Sequence, residues 1–117
     1  MAVITVKDLR SLIKQGKQQN PALTSRIDAA ALIYLTRQIK EESDGKEPIF
    51  TVESESEEGT FYEVIGSTCT CSDFIRKRAP ANFCKHLLVV LIQSKLKQLL
   101  QQREEAEKKA GVRIFEE

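Results

Sequence analysis

Residues 69–86 read CTCSDFIRKRAPANFCKH and hold all three cysteines and the single histidine of a 117-residue chain. The pattern is Cys69-x-Cys71, twelve residues, then Cys84-x-His86. Three thiolates and one imidazole complete a tetrahedral zinc shell, so Zn2+ is the expected cofactor. Side chains two apart on an extended segment point the same way, which lets Cys69 and Cys71 reach one ion. Cys84 is expected at a helix start, with His86 in the first turn. There the unpaired backbone N–H groups and the helix dipole favour a thiolate. Buried structural cysteines with a stray histidine are the plain alternative. A disulfide framework fits poorly, because the cysteine count is odd and points to a reducing compartment.

Working outward, residues 48–54 (PIFTVES) alternate with period two and 60–65 (TFYEVI) are β-rich. With Glu57-Glu58-Gly59 as the turn, they form an expected hairpin. From about Cys84 a long helix is expected to run to Ala110 on the stripe Val89, Ile92, Leu96, Leu99, with Gly111 as its stop. Upstream, Thr5 and Asp8 cap a helix through about Gln19. Ser25 and Asp28 restart a second helix on Ile27, Ala30, Ala31, Tyr34 and Leu35. Ile39 extends that stripe, and Asp44-Gly45 is the expected stop.

The fold class expected is therefore α+β: a small zinc-stabilised ββα module, hairpin plus long C-terminal helix, preceded by two N-terminal helices. Its parts are an N-terminal helical region (1–47), the zinc module (48–95) and a helix extension with tail (96–117). Hydrophobic residues are 41% and charged residues 30% of the chain, a lean core that a metal would supplement. The longest apolar run is six residues, Leu87 to Ile92, against the roughly 20 that span a bilayer. No signal peptide is visible at the N-terminus, so no membrane role and an intracellular location are expected.

Cys69-Thr-Cys71-Ser-Asp-Phe74 followed by Cys84-Lys-His86-Leu-Leu-Val-Val-Leu-Ile92 resembles the SWIM zinc finger, C-x-C-x(n)-C-x-H. The resemblance covers about residues 48–95 and includes the hairpin, the aromatic after C-x-C and the C-K-H-L-L run into a helix. Ser72-Asp73-Phe74 stands where the family commonly has Pro-Asp-Phe. The resemblance implies a ββα zinc module that binds DNA or protein. Such modules occur in Mutator-type transposases, helicase-like chromatin ATPases, a kinase-linked ubiquitin ligase and a recombination mediator that pairs with a RecA-like protein.

A Cys3His shell leaves no open metal position, and neither H-x-E…P-C-x-x-C nor H-E-x-x-H occurs, so no catalysis and no small-molecule substrate are expected. The net charge of +1 excludes a polycation but leaves room for a local basic face. Arg76, Lys77, Arg78 and Lys85 surround the ligands and are the candidate nucleic-acid contacts, while Glu53, Glu55, Glu57 and Glu58 gather acid at the hairpin tip. Phe74 or Phe83 can stack on a base. A charged loop that is merely solvated, with Phe74 in the core, accounts for the same residues. The tail residues Val112, Ile114 and Phe115 are expected to dock on another chain or to fold back as an edge strand. Two functions follow as expectations. One is a non-catalytic accessory protein on nucleic acid, DNA favoured, in recombination, repair or mobile elements. The other is a protein-interaction adaptor that uses the zinc module and the C-terminal helix without direct nucleic-acid contact; its partner is a second copy or, as the resemblance implies, a RecA-like or other repair protein.

Overall fold

The computed structural model describes residues 2–43, 48–54, 56–76 and 84–116. It is an α+β fold of three N-terminal and central helices, a four-stranded antiparallel sheet and a long C-terminal helix. Helix α1 (Val6–Gln19) opens with the expected capping box. The Thr5 hydroxyl accepts from Asp8 N–H at 3.3 Å, and Thr5 N–H donates to the Asp8 carboxylate at 2.8 Å.

Helix α2 (Thr24–Thr36) starts differently from the expectation. Pro21–Leu23 form a 3-10 turn, so the chain is already helical at Thr24 and Ser25 does not cap. Asp28 instead meets Lys17 of α1 at 2.5 Å. The buried stripe is Ile27, Ala30 and Ile33, with Ile33 fully enclosed, whereas Leu35 is 60% exposed. The helix also ends earlier than expected. Arg37 turns extended at φ −117°, ψ 160°, and Ile39 begins a strand, β1 (Ile39–Ser43), rather than extending the helical stripe. The residues 1–47 are thus not all helical. The Asp44-Gly45 stop lies outside the described residues.

Strands β2 (Pro48–Glu53) and β3 (Phe61–Ile65) form the expected hairpin, and β4 (Thr68–Cys69) joins β3. The sheet order is β1-β2-β3-β4. Register places Ile39 opposite Val52, Phe50 opposite Val64, and Val64 opposite Cys69. One face therefore carries apolar side chains and Cys69 inward. Gly59, at φ +85°, lies in the β2–β3 turn, and Gly66, at φ +57°, opens the two-residue β3–β4 turn, backbone that glycine adopts without strain. Glu53 is not part of a free acidic tip. It is buried, its carboxylate accepts from Gln38 N–H at 3.2 Å and Gly59 N–H at 3.2 Å, and the Gln38 bond foremost holds its pKa below the usual carboxylate value.

After the short helix α3 (Ser72–Ile75), α4 (Lys85–Glu116) runs to the end of the described chain. Leu87, Leu88, Val89, Ile92 and Leu96 are buried in one cluster with Leu9, Leu23, Ile27, Val52 and Val64. Enclosing each such side chain stabilises by about 1.5–3 kcal/mol. Gly111 does not stop α4. One glycine in a helix costs only about 1 kcal/mol relative to alanine, too little to end a helix of this length. Val112, Ile114 and Phe115 are therefore helical and form no edge strand.

Arg103 follows Val89, Ile92, Leu96 and Leu99 in the same three-four spacing and takes up a different task. Its guanidinium holds the Asp8 carboxylate with two bonds of 2.8 and 2.7 Å and donates to the Val3 carbonyl at 2.9 Å. This fork ties the C-terminal helix to the cap of α1. Arg103 foremost, then Thr5 N–H, pull the Asp8 pKa well below its ordinary value of 3.8. A depressed folded pKa contributes stability that is present above the unfolded pKa and is lost as pH falls through the folded one. Asp8→Asn is accordingly expected to be less stable than the parent by the same margin at pH 7 and pH 5. Below about pH 4 the margin should narrow, as measured by paired urea titrations.

Candidate metal centre

Three elements bring the four candidate ligands together: β4, the start of α3 and the start of α4. Cys69 ends β4, placed there by the tight Gly66 turn. Cys71 follows two residues on, and its backbone turns at once into α3, with Ile75 N–H donating to the Cys71 carbonyl at 3.0 Å. The Cys71 N–H donates to Cys69 Sγ at 3.5 Å, a contact that fixes the sulfur. Cys84 immediately precedes α4, and its carbonyl accepts the helical bond from Leu88 N–H at 3.2 Å. His86 lies within the first turn. Helical residues two apart would diverge, but Cys84 stands at the cap, outside the helix proper, and this lets the pair converge.

The ligand atoms of Cys69, Cys71, Cys84 and His86 all lie within 4.8 Å of one another, and all four residues are buried. None of the cysteines is in a disulfide. Both nitrogens of His86 are buried with no hydrogen-bond partner, although a buried imidazole left so costs free energy. The Tyr62 ring packs at 4.7 Å from the imidazole and holds its plane. The electrostatics are asymmetric. Neighbouring Cys69 foremost, with help from Leu87 N–H, lowers Cys84 to about 4 against the opposing effect of burial. The Cys84 bond and burial raise Cys69, and burial foremost raises Cys71. A dication among these sulfurs would stabilise all three as thiolates and give His86 its missing partner. The residues present therefore fit a metal ion: this buried Cys3His cluster could bind one.

The other candidate residues are placed unevenly. Arg76 is exposed just beyond α3, beside Ile75, which is 65% exposed. Lys85 is half-buried at the start of α4. Phe74 packs partly buried against the core, which leaves little of its ring for stacking. Lys77, Arg78, Phe83 and Glu55 lie outside the described residues, as do the side chains of Val112, Ile114 and Phe115. Sequence reasoning missed β4, Tyr62 and Glu53. The Gly66-Ser67 pair between two β-rich runs is the two-residue hairpin signal that marks β4. Nothing local marks Tyr62 as a neighbour of His86. Among the described residues, no helix is long and apolar enough to cross a membrane. No protein-family model, no curated protein and no solved structure matches the chain.

Proposed function

We propose that the Cys3His cluster holds one structural zinc ion in a SWIM-type module, and that the chain is a non-catalytic accessory protein associated with nucleic acid. The observation that carries this reading is the closed, buried donor set in which His86 has two orphaned nitrogens. Three sulfurs and one imidazole suit zinc, and four protein ligands leave no position for water or substrate. With the ion bound, Cys69, Cys71 and Cys84 supply negative charge, and His86 is oriented by Tyr62. Together these residues clamp β4 and the start of α3 to the start of α4. Between the two ligand pairs the sequence carries Arg76, Lys77 and Arg78, and Lys85 stands between the last two ligands. Basic side chains grouped this way attract phosphates. DNA rather than RNA, and recombination, repair or mobile-element settings, follow from the SWIM resemblance.

Fluorescence anisotropy of the zinc-loaded chain with labelled DNA and RNA oligonucleotides tests this. Affinity is expected to fall steeply between about 50 and 200 mM salt. A variant with Arg76→Glu, Lys77→Glu and Arg78→Glu should bind weakly to every sequence and show a flatter salt dependence. Absence of binding at low salt overturns the nucleic-acid reading and leaves the adaptor reading. Equal binding by the variant places the contact elsewhere.

A further inference from the structure

Helix α1 divides its surface between two chemistries. Lys7, Arg10, Lys14 and Lys17 recur at intervals of three and four and share one face. Val6, Leu9 and Ile13 line the face beside it, and Leu9 alone is buried. Between α1 and α2 lies a groove of about 420 Å³. Val6, Leu9 and Leu35 line it, and Arg10, Lys14 and Lys17 border it, with no carboxylate among its lining residues.

The groove is uncovered. Val6 is 59% and Leu35 60% exposed, and Leu32, three residues from Leu35 on α2, is 56% exposed. Lys17 is engaged by Asp28, whereas Arg10 and Lys14 make no ion pair among the described residues. Apolar side chains grouped in this way on a lean domain mark an interaction surface.

We propose that this groove docks an acidic amphipathic helix of a partner protein. Arg10 and Lys14, which make no ion pair among the described residues, stand about 6 Å apart along the helix at 1.5 Å per residue. An antiparallel or parallel partner helix presents carboxylates at i and i+4 over the same distance. Its leucine-type side chains at the adjoining positions fill the space above Val6 and Leu35, the helix-in-groove mode. Charge complementarity selects this occupant over a second copy, since two such grooves face to face would oppose cation to cation. It also selects it over nucleic acid, because phosphates leave Val6 and Leu35 uncovered. The groove shares no residue with the metal cluster or with the candidate nucleic-acid contacts, so it does not depend on the nucleic-acid reading.

The test uses the full zinc-loaded chain and a synthetic helical peptide of about 15 residues. The peptide carries leucines on one face and glutamates flanking them, and a scrambled peptide of identical composition serves as control. Amide shift mapping should place the perturbations on residues 6–17 and 31–35, with at least tenfold weaker binding of the scrambled peptide. Leu35→Asp, at an exposed position, should lower affinity at least tenfold without changing the thermal midpoint. The pair Arg10→Glu and Lys14→Glu should reverse the preference toward a peptide with lysines in place of the glutamates. Equal binding of the scrambled peptide, no binding of either peptide, or shifts centred elsewhere would overturn the proposal. So would concentration-dependent dimerisation that Leu35→Asp abolishes, which makes a second copy the occupant. A DNA oligonucleotide that shifts the same residues and is indifferent to Leu35→Asp would overturn it in favour of phosphate binding.

Discussion

Replacing Cys84 with alanine is expected to reduce bound metal from one ion per chain to none and to lower the thermal midpoint by about 16 °C or more. The magnitude follows from two scales. Structural zinc contributes an apparent 10–16 kcal/mol in small modules, and loss of even about 4 kcal/mol of it shifts a domain of this size by about 4 °C per kcal/mol. Cys84 is the most consequential of the four ligands to remove because it is fully buried and stands where α4 begins. Metal content by native mass spectrometry and a thermal melt read the two effects separately. A chelator-treated parent chain should melt at the low temperature of the variant. An unchanged midpoint with one ion still bound would remove Cys84 from the site, and a well-folded parent that purifies without metal would remove the site itself.

Ile33→Ala should destabilise by about 2–5 kcal/mol, and Leu32→Ala and Leu35→Ala by less than about 0.5 kcal/mol. Ile33 has no exposed surface and sits in the cluster shared by α2, α4 and the sheet, so its truncation leaves a cavity that close packing fills only in part. Leu32 and Leu35 face outward. Urea unfolding of the three variants checks the ranking. A Leu35→Ala cost equal to that of Ile33→Ala would mean that α2 is rotated from the face described above.

The alanine comparison bears on how legible the chain is. The apolar pattern IDAAALIYLT shows that 27–36 is a helix but offers two stripes, one through Ala31, Tyr34 and Leu35 and one through Ala30 and Ile33. Propensity treats both alike, and only the position of α4 and the sheet decides between them. The same holds for β1. Residues 39–43 read IKEES, with one apolar side chain and no alternation, a poor strand in isolation. They pair because β2 presents an unfilled ladder and Glu53 clasps Gln38, and their charges suit an edge that must not pair further. Arg103 reads as the polar end of a fading stripe until Asp8, 95 residues earlier, is found beneath it.

What the sequence determined by itself is local and chemical. The Thr5–Asp8 capping box, the β2–β3 hairpin, the start of α4 near Cys84 and the complete Cys3His donor set each depend on residues close together in the chain, where spacing and functional groups suffice. What only the tertiary structure decided is every choice between faces and every bond across distance. These include the buried stripe of α2, the strand β1 added to the hairpin, the Asp8–Arg103 fork, the tilted contact of Tyr62 with His86 and the uncovered groove of α1 and α2. The reason is physical: a local signal is a property of consecutive residues, whereas burial is a property of what another segment, distant in sequence, brings to the same place.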